Sequence, residues 1–471
     1  MPVVGARATM IPWGAEESRA RAQPVARGIR AGWWRTLEAG ALIYILMISS
    51  GMFGFIDILA FGDLYTKQDS SQFAQVLWPV AYLLFAGLTL AVWRDVLGIV
   101  RRHRWILVFP IVVAASCLWS RDPAATFDGA IRVGMTTLIG IYLGTRFDLH
   151  ELARAVFAVM LVAVGGSILA GLAGTSYALM GEDGSLRGLF HHKNTLGSRA
   201  ALLFGTSIAL LIAGWRPHLA LLGLGLALVA AVMSHSATSV ALAGLSVAVL
   251  PLAIVLRSRW STLIYGLILL GAAFSLIAFL VVFLRIDPVV EVLGALGRDL
   301  TFTGRILLWD AALDYIRARP LLGTGFDAFW SGRLDWRILL VLEELGNVLH
   351  FHNSLLEVGV QLGAIGLVAA LLTVVGYGRA ALMALRLRVD PLATWPTIYG
   401  AILLAVAIVE VEVFVQHKIL HVLLVAIAIA ASRQAMLDPT HATPATSPAS
   451  GRGDLPPPIP HMEAAHAHLR P

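Results

Sequence analysis

Apolar runs of roughly 20 residues, the length that carries a helix across a bilayer, recur along this chain between short polar turns. They predict helices near 39–57, 74–93, 105–120, 127–144, 152–173, 195–213, 217–233, 237–256, 261–284, 354–376, 395–415 and 418–432. That makes about twelve spans by the same length rule. Two polar stretches interrupt the pattern. One is RGLFHHKNTLG at Arg187–Gly197; the other runs from Arg298 to Gly366 and holds DLTFTGR and HFHNSLLEVGVQLGAIG. Within the second, RILLWDAALDYIRARP has apolar residues at helical spacing and stops at Pro320. It predicts an amphipathic helix at the membrane interface. The tail after Met436 is rich in Pro, Ala, Ser, Thr and His, a composition expected to stay disordered.

Composition then fixes the class. The chain is 58% hydrophobic and 14% charged, with a mean hydropathy of +0.79. A soluble globular protein carries about a quarter charged residues, so this reads as an all-α polytopic membrane protein. The single cysteine, Cys117, rules out a disulfide within the chain. The net charge of +6 reads as topology and not as nucleic-acid binding, because the arginines sit at segment ends. The Arg-rich opening is too long for the start of a cleavable signal peptide.

With a cytoplasmic N-terminus, inner loops hold Arg94, Arg101, Arg102, Arg104, Arg146, Arg216, Arg257, Arg259, Arg379, Arg386 and Arg388, as the positive-inside rule requires. The organisation expected is a cytoplasmic segment 1–37, nine helices over 38–284 with a motif loop at 174–194, a large periplasmic loop 285–353, three helices over 354–436, and a cytoplasmic tail 437–471. Both polar stretches then fall on the extracytoplasmic face, where their basic residues oppose the orientation bias. Something other than topology keeps them there.

Arg187 and Arg305 each adjoin a glycine. Guanidinium forks match phosphate oxygens bidentately, so a facing pair suits a diphosphate, while pairing with lipid phosphates or with Asp183 and Asp299 is the plainer alternative. His350 and His352 flank Phe351, just ahead of a long apolar helix. A histidine there can act as a general base, with Asn353 as helix N-cap or as the group that orients the imidazole. In an extended segment the two rings would point the same way, which also suits a metal completed by His191 and His192; the spacing of a hydrolytic zinc site is missing. Lys193 and Asn194 open a helix whose free N–H groups favour anions, or else Asn194 simply caps it while Lys193 reaches to the interface. Glu410, Glu412, Gln416, His417, Lys418 and His421 form one more polar cluster; ionisable groups inside a span are candidates for function, and a Glu–Lys pair tying two helices together is the plainer and slightly preferred reading. SHSATS at 234–239 reads as a polar turn or as hydroxyls offered to a sugar.

At these motifs the chain resembles the O-antigen ligase and exopolysaccharide polymerase superfamily, in its exopolysaccharide-production branch. RGLFHHKNTLG is similar to the signature Arg-Gly-x-Phe-x-His-Lys-Asn-x-x-Gly. GRDLTFTGRILLW followed by RPLLGTGFDAFW resembles a second signature, and HNSLLEVGVQLGAIG a third, in which His-Asn precedes Gly-x-x-Gly. The resemblance implies a GT-C-like glycosyltransferase in the bacterial inner membrane, working on the periplasmic face without metal or other cofactor. Its donor would be a glycan on polyprenyl (undecaprenyl) diphosphate and its acceptor a glycan or lipid, among membrane lipids and other export components. His352 would be the catalytic base; Arg187, Arg305 and Lys193 would bind the diphosphate; Asn353, His350, Asn194 and His192 would support them. Family members often carry a lysine where this chain has Ala237. Polymerisation is the reaction expected. Ligation of a finished glycan to lipid A core is the rival within the same chemistry, and a flippase of about twelve spans is the rival from another class.

Overall fold

The computed structural model describes residues 14–61, 72–180, 184–235, 242–249, 301–331, 338, 350–386 and 390–437, with backbone alone at 14–31, 61, 72, 301–306, 436 and 437. The expected span 261–284, most of 237–256 and the tail lie outside these residues. The described chain is mostly helical: α1 (Gly14–Ser50), α2 (Gly54–Phe61), α3 (Gln72–Ala91), α4 (Trp93–Arg102), α5 (Val108–Ala115), α6 (Pro123–Arg146), α7 (Leu149–Leu172), α8 (Lys193–Ile212), α9 (Pro217–Met233), α10 (242–249), α11 (Thr301–Ala318), α12 (Ala328–Ser331), α13 (Ser354–Arg386), α14 (Trp395–Val409) and α15 (Ile419–Leu437). A short antiparallel hairpin, β1 (Leu179–Met180) with β2 (Ser185–Leu186), is set into this otherwise helical architecture, which agrees with the all-α expectation. Among the described residues, five helices are long and apolar enough to cross a membrane, or six if α1 and α2 form one bent span.

Helix starts follow local chemistry. Asp122 caps α6 by accepting from the Ala125 N–H at 3.1 Å, with Pro123 in the first turn. Asp148 and Glu151 form a reciprocal capping box on α7. The centre of the fold is α15, whose Leu420, Val422, Leu423, Leu424, Ala426 and Ile427 are all buried. A helix apolar on every side belongs inside the protein. It packs on α6 through Gly140 and Gly144, where an added Cβ would meet Val425 Cβ at 2.7 Å and the Ala426 carbonyl at 2.6 Å. Small residues spaced this way let two backbones approach closely.

Three expected spans are altered, each beside the polar stretches. The run 39–57 breaks at 51–53 with a bend of 57°. Gly51 takes a φ of +82° there, and Gly54 lies against the backbone of His191. The Phe55 N–H donates to the Leu189 carbonyl at 3.0 Å, so the break is where the first motif docks. The run 395–415 stops at Val409, and Glu410–Lys418 follows a non-helical path with positive φ at Phe414 and His417. Glu410 and Glu412 close that run and Gln416, His417 and Lys418 follow directly, a stretch too polar to continue a span.

The third is α13, kinked at Gly363 (φ 62°, ψ −156°). Carbonyls released at the kink are taken by the RPLLGTG segment: the Thr324 N–H donates to Val360 O at 3.1 Å and the Gly325 N–H to Gln361 O at 2.8 Å. In return the Ala364 N–H donates to Pro320 O at 2.8 Å and Ile365 to Leu321 O at 3.2 Å. Backbone crosses backbone here, and Gly323 and Gly363 leave the room: a Cβ on either would lie within 2.6 Å of main-chain atoms of the other strand. The second and third signatures thus interlock. Helix α11 confirms the amphipathic helix expected up to Pro320, packing Leu308, Ala312 and Tyr315 against Phe329, Phe351 and Val360.

Candidate functional site

The His-Phe-His segment is fixed by its middle residue. Phe351 is fully buried, its ring 5.3 Å from that of Phe329 and 4.9 Å from that of Trp330. Its N–H donates to Glu357 Oε2 at 3.0 Å and its carbonyl accepts from Trp309 Nε1 at 2.8 Å. Glu357 Oε1 takes Trp330 Nε1 at 2.7 Å and Gln361 Nε2 at 2.6 Å. Held this way, Phe351 leaves the two histidines on either side of it. Their rings lie 4.0 Å apart, but the segment is not extended as expected: His352 has φ 49°, a left-handed turn in which its N–H donates to His350 Nδ1 at 3.1 Å. Asn353 caps α13 as expected, accepting from Leu355 and Leu356 at 2.9 and 3.0 Å.

The first motif meets this segment at one carboxylate. Asn194 Nδ2 donates to Glu410 Oε1 at 2.8 Å, and His352 Nδ1 lies 3.1 Å from Glu410 Oε2. The cap of α8 is therefore not Asn194 but His192, whose Nδ1 accepts from the Asn194 N–H at 3.1 Å. His191 pairs with buried Asp57 at 3.1 Å, and Asp57 also takes the Phe73 N–H at 3.0 Å, which ties the first motif to the start of α3.

Arg187 sits elsewhere. It is buried, and its Nε donates to the Tyr177 carbonyl at 2.7 Å behind the β-hairpin. The glycine beside it approaches protein: at Gly188 (φ 61°) a Cβ would overlap Ser167 of α7, whose Oγ accepts the Leu189 N–H at 3.1 Å. Lys193 opens α8, where its N–H lies 3.4 Å from Met180 Sδ. Arg305 falls on the first turns of α11, with its side chain outside the described residues.

Beside the joined motifs lies a cavity of about 560 Å³. His350, His191, Thr195 and Arg199 line it, opposite Trp78 and Tyr82 of α3 and Asp128 and Arg132 of α6. His352, Arg187, Lys193 and Asn194 are not part of that lining. Trp78 stacks on His417 with ring centroids 4.0 Å apart, and Tyr82 hydrogen-bonds the same imidazole. Burial pushes His417 down to about 3, helped by Arg132 and Lys418, so it is neutral at any working pH. Positive φ at Asp327, His352 and His417 marks strained backbone around one site, the place where proteins tend to keep it.

Of three charged groups in this region, sequence reading passed over Arg199, gave Asp327 no role and took Glu410 only as a member of a polar cluster. Arg199 is almost fully buried: Nε donates to Ser50 O at 2.7 Å, and the far nitrogen reaches both Glu412 oxygens at 2.9 and 3.2 Å. Lys418 adds a contact to Glu412 at 3.6 Å, so the expected Glu–Lys tie exists with Arg199 as its stronger member. A cation inside an apolar run was the signal available. Glu412→Ala should lower stability by about 3 kcal/mol or more, because it strands a buried guanidinium. Thermal unfolding in detergent checks this, and the apolar pair Arg199→Met with Glu412→Leu should recover most of the loss.

The second group, Asp327, was quoted within GFDAFW without a role. It lines the cavity, takes Gln416 Nε2 at 2.9 Å on Oδ2, and its N–H donates to Gln361 Oε1 at 2.9 Å. Burial, and then the neighbouring Glu357, pushes its carboxyl up to about 6 from 3.8. The folded state therefore holds this proton more tightly than the unfolded chain. The carboxyl's contribution to stability falls as pH rises from 3.8 to 6 and stays reduced above that; the rise corresponds to about 3 kcal/mol. Asp327→Asn is expected to unfold at a higher temperature than the parent at pH 7.5, the gap closing as pH drops through 6. A gap that does not depend on pH would contradict this. The third group is Glu410.

Fold and site together define a polytopic membrane protein in which distant motifs converge beside a cavity with charged and aromatic walls. Residues 220–371 match the O-antigen ligase family, a stretch that contains His350, His352 and Asn353. The chain is also 28% identical over 374 residues, 76% of its length, to the exopolysaccharide production protein ExoQ of Rhizobium meliloti (strain 1021), covering 83% of that protein. Both findings support the O-antigen ligase and exopolysaccharide polymerase superfamily as the family of this chain, and with it a ligase- or polymerase-type function.

Proposed function

We propose that the protein extends exopolysaccharide or O-antigen on the periplasmic face of the bacterial inner membrane, using a GT-C-like helical scaffold. The donor is an oligosaccharide on polyprenyl (undecaprenyl) diphosphate; the acceptor is a second glycan. The observation that carries this reading is the meeting of Asn194 and His352, residues of two separate motifs, on one carboxylate beside the cavity. His352 takes the proton of an acceptor hydroxyl, and the oxygen forms the new bond to the anomeric carbon. The bond from that carbon to the diphosphate oxygen breaks, and the diphosphate leaves with the electron pair, so direct displacement inverts the centre. Arg305, Lys193 and the terminal nitrogens of Arg187 meet the charge that grows on the leaving group, which is where fixed cations in a partly dry site act most strongly. His350, His192, Asn194 and Asn353 hold the segments that carry them.

Ligation to a lipid acceptor is the second reading, favoured by the O-antigen ligase match over 220–371. The test is reconstitution of the full chain in liposomes containing EDTA and a polyprenyl-diphosphate oligosaccharide. Elongation with release of polyprenyl diphosphate supports the polymerase. Transfer only after a lipid A core acceptor is added supports the ligase. No reaction in either case overturns both.

A further inference from the structure

Glu410 lies outside all three signature motifs, in the non-helical segment between α14 and α15, yet it is the atom-level link between two of them. Both its oxygens are engaged, Oε1 by Asn194 Nδ2 at 2.8 Å and Oε2 by His352 Nδ1 at 3.1 Å. An ionised carboxylate only accepts hydrogen bonds. The proton of a neutral His352 is thereby assigned to Nδ1, which leaves the Nε2 lone pair as the basic position.

The carboxylate is also held in place. The Glu410 N–H donates to Val406 O at 2.8 Å, and Ser354 Oγ donates to the Glu410 carbonyl at 2.8 Å. The same Ser354 Oγ accepts from the Glu412 and Val413 N–H groups, both at 3.3 Å. Ser354 follows His352 by two residues, so the imidazole and its carboxylate are fastened to each other at side chain and at main chain. The neighbouring acid does a different job: Glu412 neutralises Arg199 and Lys418.

We propose that Glu410 is the positioning residue of the transfer reaction: it fixes the tautomer and direction of the His352 imidazole and couples that imidazole to the first motif through Asn194. The inference rests on the reading of His352 as base. Glu410 holds the imidazole as the carboxylate of a serine-protease triad does, without itself taking up the proton.

The test uses the full chain in lipid nanodiscs with the polyprenyl-diphosphate oligosaccharide. Glu410→Gln keeps the shape and removes the charge; it should lower kcat about 100-fold with the donor KM changed less than about threefold. Glu410→Asp, which retains a carboxylate, should recover at least tenfold over the glutamine variant. Nitrogen NMR of histidine-labelled protein, recorded about two pH units above the ordinary histidine value, gives a readout that no catalysis enters. The His352 signal, assigned by its loss in His352→Asn, should report a proton on Nδ1 in the parent and a mixture in Glu410→Gln. A proton on Nε2 in the parent overturns the inference, whatever the turnover. So does a glutamine variant with parental kcat, or one whose loss matches its loss of folded protein. Full activity in His352→Asn is a separate result and overturns the reading of His352 as base.

Discussion

Replacement of His352 by alanine is expected to reduce glycan transfer about 1,000-fold or more while the protein still inserts and folds. A positioned general base contributes about 10² to 10⁴ in rate, and the neighbouring His350 ring, 4.0 Å away, offers its Nδ1 to the His352 N–H. The backbone complicates the substitution, since His352 has φ 49° and alanine is strained there. Asparagine is more at ease in that region, so His352→Asn serves as the companion variant. Loss of transfer in both, with thermal unfolding near that of the parent, ties the effect to the imidazole. Transfer retained in the asparagine variant would remove His352 from the chemistry and leave it a turn residue.

Gly363→Ala is expected to leave little folded protein. Its φ of 62° and ψ of −156° fall in a region that is essentially closed to residues with a Cβ. A methyl group there would sit 2.4 Å from the Leu321 carbonyl carbon and 2.6 Å from its oxygen. Neither is the end of a flexible side chain, so the strands must part and lose the five main-chain hydrogen bonds that join Pro320, Leu321, Thr324 and Gly325 to α13. Backbone strain alone costs about 1–3 kcal/mol, and the clash adds to it. The yield of monodisperse protein in detergent measures the outcome. Gly87→Ala, where nothing lies within 4 Å, should behave like the parent; equal yields for both variants would mean that the crossing is looser than the structure shows.

Hydropathy was a sound guide wherever a helix faces lipid or core along its whole length. The limits of α3, α7, α8 and α9 fall within a few residues of the apolar runs that foretold them. It misled where one chain segment docks on another. Nothing in the composition of 39–57 says that Gly51 turns, because the reason is the first motif arriving from more than a hundred residues away. The site was legible in its parts: Asn353 as a cap and the closeness of His350 to His352 follow from spacing, and the glycines of the third signature from their pattern. The connections were not. Glu410 looked like half of a helix tie because Glu412, two residues on, is just that. Which of the two would face His352 depends on the path of a non-helical segment, and periodicity does not describe such paths. For Arg187 the part that spacing did not supply is local: the glycine beside it is filled by Ser167, and its Nε holds the Tyr177 carbonyl.

The crossing of Pro320–Gly325 over the kink in α13 also determines what the peptide link between them is needed for. Further bonds anchor the first of these segments: Arg121 N–H to Thr324 O at 2.9 Å, Trp119 Nε1 to Leu322 O at 2.7 Å, and Thr126 Oγ to Phe326 O at 2.7 Å. A protease cut between residues 332 and 349 would therefore yield two pieces that travel together through purification. Genes encoding the halves separately, split at that point, would reassemble one protein from two.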